Sequence, residues 1–431
     1  MFVHGFVILI VIGAILLALP MASATGQWTP FLDALFTATS AVCLTGLVVV
    51  DTGTYWSGLG QVIILALIQI GGFGFMTSST LLLLLIGQRV SLRERLLLRE
   101  ALGGGGLGSV LTLARRIFVF TVIAEGIGLL LLTTCFLATV EAPRAVWWGL
   151  FHAVSAFNNA GFDLTGDYRS LIPYNHSPLI LLTIAALFIL GALSYTTIED
   201  AVRRRRFARL ALDSKLVLTT TLALLVAGTV LLLFTERANT DTLGGMDGAP
   251  RLLNAFFLAA TRTAGFSTVD IGKLTDDGLL TLIALMFIGG SAGSTAGGIK
   301  VQTFSILFFA IVAAVRGVNE VQAFHRRVPM SQVLRAVAIA LLGVAWAFTI
   351  SLALNLTERS LALRNVFEAV SALSTVGLST GITPETSAWG RVILIVAMFT
   401  GRLGPLTLAL ALAARERPAR YHWPEETIKL G

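Results

Sequence analysis

The 431-residue chain is 55% hydrophobic and only 13% charged, with a mean hydropathy of +0.84 and a formal net charge of +7. Soluble domains carry roughly a quarter of their residues as Asp, Glu, Lys or Arg, so this balance excludes an ordinary soluble fold and belongs in a bilayer. No polar linker divides the sequence, residues 1–431 read as one membrane domain, and the two cysteines, Cys43 and Cys135, imply neither a metal site nor a disulfide framework.

The chain opens on an apolar stretch, Phe2–Pro20, which lacks the basic start of a signal peptide and approaches the ~20 residues that cross a bilayer, so it reads as a first spanning helix. Further spans are expected near Val62–Ile86, Ile117–Val140, Pro178–Tyr195, Leu216–Phe234, Leu279–Val315 (interrupted), Val333–Leu354 and Ile393–Ala414. An even number of spans puts both termini on one side. Basic residues concentrate in one alternating set of connections, at Arg89–Arg99, Arg115–Arg116, Arg203–Arg209 and Arg316–Arg335, and in the tail from Arg415. The positive-inside rule places that set and both termini in the cytoplasm, and the net charge needs no nucleic-acid partner. The contiguous run Arg203–Arg206 lies in a polar connection instead of being spaced along an apolar helix, so it reads as a topology signal and not as a voltage sensor.

Each connection on the opposite side carries a second apolar segment, too short to span, that ends in a glycine. Residues 36–47 (FTATSAVCLTGL), 151–162 (FHAVSAFNNAGF) and 367–378 (FEAVSALSTVGL) align without gaps, and residues 259–266 (AATRTAGF) keep the last half. The glycines Gly46, Gly161, Gly265 and Gly377 recur about every 110 residues, which divides the chain into four pore repeats, 1–88, 112–200, 214–318 and 330–414, with a cytoplasmic tail, 415–431. Non-helical backbone at membrane depth is tolerated only inside protein or along a wet cavity. Four such loops therefore call for a shared polar centre, where short helices aim their negative carboxyl ends and loop carbonyls at a cation.

The sixth apolar segment is interrupted by Gly289, Gly290, Ser291, Gly293, Ser294, Thr295, Gly297 and Gly298. So many glycines and small residues cannot hold a straight helix, which predicts a flexible constriction; the Gly-Lys-Ser/Thr ending of a phosphate-binding loop is absent. Arg402 lies in mid-span and needs acceptors, for which the carbonyls and hydroxyls around Ser291, Ser294 and Thr295 are the expected supply. Arg262, just before the third glycine, reads as half of an ion pair with a carboxylate on the outer side. Glu125 reads as the partner of a neighbouring helix or of a second copy in preference to a proton relay. His152 and Glu368, each nine residues before a glycine, read as packing or hydrogen-bonding groups behind the loops. The five histidines fall in unrelated places and no acid, base and nucleophile cluster, so the chain is not read as an enzyme. An alternating-access carrier would show inverted repeats instead of four of one orientation.

Residues 39–55, 155–163, 261–266, 287–300 and 374–382 together resemble the Ktr/Trk/HKT superfamily of potassium transporters, most closely its KtrB branch. The first span starting at Phe2 leaves out the extra N-terminal helix pair of the Trk branch. The resemblance implies an all-α integral membrane fold of four tandem helix/pore-helix/helix repeats, with eight transmembrane helices and four half helices in pseudo-fourfold symmetry around one pore. It implies a selectivity filter of backbone carbonyls from Val42, Cys43, Leu44, Thr45 and Gly46; Phe157, Asn158, Asn159, Ala160 and Gly161; Thr261, Arg262, Thr263, Ala264 and Gly265; and Leu373, Ser374, Thr375, Val376 and Gly377. It implies that the glycine-rich interruption is a gate touched by Arg402. The expected permeant ion is K+, with Na+ as a further candidate, and a Na+ or K+/Na+ transporter or a Trk-type coupled carrier is the alternative within the same fold. The implied setting is the cell membrane, as a homodimer among membrane lipids. Its implied partner is a KtrA-like cytoplasmic ring that binds nucleotides, while this chain binds none.

Overall fold

Within an apolar medium a helix satisfies its backbone groups inside one segment, and the regular structure of the chain follows that rule. The computed structural model describes residues 2–73, 110–318 and 320–413. The end of the expected span Val62–Ile86, the basic connection Arg89–Arg99 and the tail 415–431 lie outside the described residues. The helices fall into four units: α1 (Phe2–Ala18), α2 (Phe31–Val42) and α3 (Gly58–Gly72); α4 (Val110–Phe136), α5 (Ala142–Phe157), α6 (Pro178–Ala192) and α7 (Tyr195–Arg204); α8 (Leu212–Thr235), α9 (Gly248–Ala260), α10 (Asp276–Phe287) and α11 (Val301–Val315); α12 (Met330–Thr357), α13 (Ala362–Leu373) and α14 (Ala388–Ala413). A two-residue hairpin, β1 (Gln322–Ala323) and β2 (Arg326–Arg327), joins the last two units.

Burial is inverted relative to a soluble protein. Leu130, Leu222, Val230, Leu341 and Phe348 are exposed on the outer faces of long helices, whereas Ser40, Ser155, Asn159, Thr261, Ser371 and Thr375 are buried at the centre. Among the described helices, Arg115–Phe136 of α4, all of α8 and all of α12 are long and apolar enough to cross a bilayer on their own. The fourth candidate is α6 with α7, which the chain bends by 100° at Leu193–Ser194, where a single span, Pro178–Tyr195, is expected from hydropathy.

The short helices α2, α5, α9 and α13 occupy the centre, and their packing fixes the order of the units around it. Each packs on at least one helix of its own unit and on one helix of the preceding unit: α5 packs on α3, α9 on α6, α13 on α10, and α2 on α14. The arrangement therefore closes on itself. Small residues allow the close approach: Gly13 nests against Leu67 and Ala38, Gly128 against Leu187 and Ala153, and Gly228 against Leu285 and Ala259.

The closure between the last and first units carries an ion pair. Arg391 of α14 donates to Asp33 in the first turn of α2, and both side chains are largely screened from solvent, at 22% and 15% exposure. Arg391 also donates to the carbonyls of Thr386 and Pro384, which orients its guanidinium. Such a charge-assisted bond contributes about 1–2 kcal/mol. Arg391→Met and Asp33→Asn are each expected to lower the thermal midpoint of the detergent-solubilised protein by a few degrees. The double variant should be no less stable than the worse single one, since both remove the same interaction.

Candidate ion pathway

The loops begin where the short helices stop, and three of the four stop in the same way. In the first, Leu44 is left-handed (φ 57°), its N–H donates to Ala41 O (3.2 Å), and the Thr45 N–H donates to Ser40 O (2.8 Å). Asn159 (φ 56°) and Thr375 (φ 47°) repeat this after α5 and α13, with Ala160 N–H on Ser155 O (2.8 Å) and Val376 N–H on Ser371 O (2.9 Å). This pair of bonds around a left-handed residue is a Schellman termination. It gives the N–H groups to the helix and leaves the loop carbonyls free for another partner. Asn adopts the left-handed conformation readily; Leu and Thr do so at a cost of about 1–2 kcal/mol each. The third loop departs from the pattern, as its weaker sequence match foreshadows: Thr261–Thr263 form a 3₁₀ turn, and the Ala264 and Gly265 N–H groups both reach Thr261 O (2.8 and 3.2 Å).

A serine six residues before the glycine fastens each regular loop. Ser40 Oγ accepts the Gly46 N–H (3.1 Å), Ser155 Oγ donates to Phe162 O (2.7 Å), and Ser371 Oγ accepts the Gly377 N–H (3.1 Å) while donating to Leu378 O (2.6 Å). Ala259 holds that position in the third loop. The repeated Ser-Ala pair is visible in the sequence, but its role is not.

The four glycines then form a ring. All have positive φ, 88° at Gly46, 73° at Gly161, 77° at Gly265 and 97° at Gly377. A Cβ on Gly46 would meet the carbonyl oxygen of Ala160, one on Gly161 that of Ala264, one on Gly265 that of Val376, and one on Gly377 that of Thr45, all under 3.0 Å. Each loop leans on the next, and glycine is required both by conformation and by contact. On one side the ring opens into a cavity of about 440 Å³ lined by all four glycines and by the carboxylates Asp51, Asp163, Asp167, Asp270 and Glu385. Within the loops the buried hydroxyls of Thr45, Thr261 and Thr375 have no hydrogen-bond partner among the described residues, oxygen chemistry that suits a hard monovalent cation. A second set of glycines, not evident from the sequence, supports the ring from the long helices: Gly71, Gly191 and Gly401 pack on the carbonyls of Val42, Phe157 and Leu373, the last residues of three short helices.

The opposite side is covered by the broken segment, residues 288–300, between α10 and α11. Its two ends pair, with the Gly289 N–H on Ile299 O (2.8 Å) and the Val301 N–H on Gly290 O (3.1 Å), and its middle reaches the loops. The Thr295 hydroxyl lies 2.7 Å from Asn159 Oδ1 and 2.9 Å from Gly191 O, while Gly297 packs on Ser374 O and the Thr375 hydroxyl. The Ser291 and Thr295 N–H groups take the carbonyls of Ala192 and Gly191 (2.9 and 3.1 Å), which the bend between α6 and α7 sets free. Ser291 Oγ accepts the Ser194 N–H (3.2 Å), and Gly293 and Gly298 supply the left-handed turns (φ 79° and 70°).

Three cations hold this segment, Arg262 buried and Arg402 and Lys300 half-buried. Arg402 donates to Thr295 O (2.6 Å) and reaches Gly71 O (3.5 Å), Lys300 donates to Ala296 O (2.7 Å), and Arg262 donates to the carbonyls of Ile288 and, at 3.1 Å, Gly289. The Arg402 contact is to backbone; Ser294 Oγ is buried without a hydrogen-bond partner among the described residues, and Ser291 Oγ is engaged elsewhere. Arg262 corrects the expectation of an ion pair with a carboxylate on the cavity side: its side chain runs to the broken segment on the opposite side, because α10 ends there with free carbonyls. Lys300 was not singled out in the sequence. Glu125 has partners on two neighbouring helices, accepting from Asn158 Nδ2 (2.9 Å) and Gln69 Nε2 (3.2 Å).

The description of a family of cation transport proteins, TrkH, matches residues 3–421. The chain is 42% identical to Ktr system potassium uptake protein B of Vibrio alginolyticus, over 97% of this chain and 91% of the relative. It is 38% identical to potassium/sodium uptake protein NtpJ of Enterococcus hirae, over 99% and 96%. The crystal structure of the potassium transporter TrkH from Vibrio parahaemolyticus has the same fold, with a TM-score of 0.71 at 19% identity, covering 95% of this chain and 84% of that one.

The cavity's charge yields a pH test. Asp163 lies in the connection outside the spanning helices, where burial raises its carboxyl to about 6 against the hydrogen bonds from Thr165, and the neighbouring Asp51 adds to the rise. Below that pH the group is neutral and the cavity holds cations less strongly. Cation uptake is expected to fall as the pH on the cavity side drops from 7 through about 6, and Asp163→Asn should remove that step, measured as initial uptake rate against pH.

Proposed function

The chain belongs to the TrkH family of cation transport proteins, and from that premise we propose that it is the membrane subunit of a potassium uptake system, conducting K+ through the four-loop ring. The carrying observation is the closed ring in which each glycine faces the carbonyl of the next loop, below a cavity that reaches all four. Carbonyls freed by the helix terminations replace water around a dehydrated ion, and the carboxyl ends of the short helices add a negative potential. The filter consists of residues 42–46, 157–161, 261–265 and 373–377. The printed name of the Enterococcus relative, a potassium/sodium uptake protein, supports a second reading in which Na+ also permeates.

In this reading the segment 288–300 is the gate. It blocks the inner side of the ring sterically, and Arg402, Lys300 and Arg262 add a positive potential that repels a cation leaving the filter. Opening requires the segment to withdraw, so its bonds with Arg402 must exchange for others. Four pore repeats at 1–88, 112–200, 214–318 and 330–414 belong to the same reading. Cytoplasmic termini, a cell-membrane location, a homodimer and a nucleotide-binding cytoplasmic ring complete the proposal. The exposed arginines Arg203–Arg206 and Arg326–Arg327 supply a basic face for such a ring.

Competitive uptake into proteoliposomes tests the filter. Gly46→Ser and Gly377→Ala insert a Cβ against Ala160 O and Thr45 O and are expected to lower the preference for K+ over Na+ about tenfold; wild-type preference in both, at normal expression, would contradict the ring as filter. Comparable K+ and Na+ uptake by the wild-type protein would favour the second reading. For the gate, deletion of residues 290–297 and Arg402→Ala should each raise K+ flux, with Arg402→Lys in between because it keeps charge but loses the fork of donors. Combining deletion with Arg402→Ala should add little, since both act on one closed state; fully additive effects would sink the model.

A further inference from the structure

Glu368 and His152 sit at the same place in two repeats, nine residues before Gly377 and Gly161. Both are buried, Glu368 at 1% and His152 at 0% exposure. Each reaches the backbone N–H three residues after its own glycine. Glu368 Oε1 accepts from Thr380 N (2.8 Å), and His152 Nε2 accepts from Leu164 N (3.4 Å). For His152 to accept there, the ring proton must sit on Nδ1, which lies 2.8 Å from Trp148 O and donates to it; the imidazole is then neutral with a fixed tautomer. Glu368 does more: Oε1 also accepts from the hydroxyls of Ser379 (2.8 Å) and Thr380 (3.1 Å), and Oε2 from that of Thr383 (2.7 Å). Its donors are all neutral, so the carboxylate is held by hydrogen bonds alone among the described residues.

The other two repeats lack this brace. Thr37 holds the equivalent position in the first, and its hydroxyl is engaged by Asp33 O one turn back (2.9 Å); Phe256 holds it in the third. The ring order Gly46, Gly161, Gly265, Gly377 makes the braced loops diagonal to one another. Segment 288–300 touches both of these loops from beneath, at Asn159 and at Ser374 and Thr375, and also receives Arg262 from the third loop. The second and fourth loops are thus held at both rims, while the first and third lack the brace and the third is tied to the segment only through Arg262.

We propose that Glu368 and His152 are positioning residues that hold the outer rims of the fourth and second loops and thereby set the preference among monovalent cations. The inference rests on the reading of the glycine loops as the filter. A side chain on the short helix, reaching across the loop to the chain beyond it, fixes the distance between helix end and rim, and with it the positions of the carbonyls between. Removing the acceptor leaves the Thr380 or Leu164 N–H buried without a partner and frees the rim to shift.

The test is competitive K+ and Na+ uptake by the full-length protein in proteoliposomes, at matched incorporation. Glu368→Leu and His152→Phe, the latter copying the third repeat, are each expected to lower the K+/Na+ preference about tenfold. Glu368→Gln is the conservative rescue: its carbonyl oxygen can keep the three bonds of Oε1 while its amide donates to the Thr383 hydroxyl, so it should retain most of the preference. If Glu368→Leu does not fold, Glu368→Asp, with the carboxylate on a shorter stem, should reduce the preference severalfold. Wild-type preference in Glu368→Leu, or in Glu368→Asp where Leu is not tolerated, overturns the inference while Gly377→Ala still loses selectivity. Wild-type preference in Gly377→Ala as well overturns the filter reading itself.

Discussion

Backbone that leaves the helical ladder inside a bilayer finds no water and has to be satisfied by other parts of the protein. Every irregular segment at the centre of this structure answers that demand with a different partner. The short helices turn their N–H groups back through Schellman bonds, at the cost of left-handed Leu44 and Thr375, and so leave carbonyls unspent at the centre. Where α6 breaks, the carbonyls of Gly191 and Ala192 are taken by N–H groups of the second broken segment, and the carbonyls of that segment are taken by arginine and lysine. The two interruptions complete one another, and neither would be stable in hydrocarbon alone.

The same demand explains why three cations lie buried or half-buried at the centre of a protein that moves cations. A guanidinium or ammonium in mid-membrane is costly unless donors meet acceptors, and broken backbone offers acceptors in quantity. Arg402 and Arg262 reach residues 288–300 from two other elements and Lys300 belongs to that stretch, so the three charges and its carbonyls stabilise each other. A contact of this kind can exchange, because carbonyls and cations separated by a small movement would both be open to water or to a permeating ion. A packed apolar constriction would lack that exchange.

Pseudo-symmetry supplies the framework and its violations supply the differences between loops. The first, second and fourth loops share the serine fastening and the Schellman ending; the third has Ala259 and a 3₁₀ turn instead, and sends Arg262 down to the broken segment. In the second and fourth loops the side chain at the brace position bonds the outer chain of its own loop; in the first and third it does not. A pore with four equal walls would need four equal sequences; here one chain makes each wall separately and gives each a different attachment.

Much of this was open to reading in the chain. The fourfold recurrence of a short apolar segment before Gly46, Gly161, Gly265 and Gly377, and the interruption from Gly289, follow from local composition and period, because helix-forming and helix-breaking residues act within a few positions of where they stand. The sequence alone therefore determined a helical membrane fold, its repeated unit and the places where helix must stop. What only the tertiary structure decided is which long-range partners those stops acquire: the cyclic contact of each glycine with the next loop, the support of Gly71, Gly191 and Gly401, the bend at Leu193–Ser194, and the turn of Arg262 to the inner side instead of toward an outer carboxylate. The cyclic glycine contacts join residues more than a hundred positions apart and the other pairings residues on separate elements, and no local propensity specifies them; they are set by which free carbonyl lies nearest once the four units have closed around a common axis.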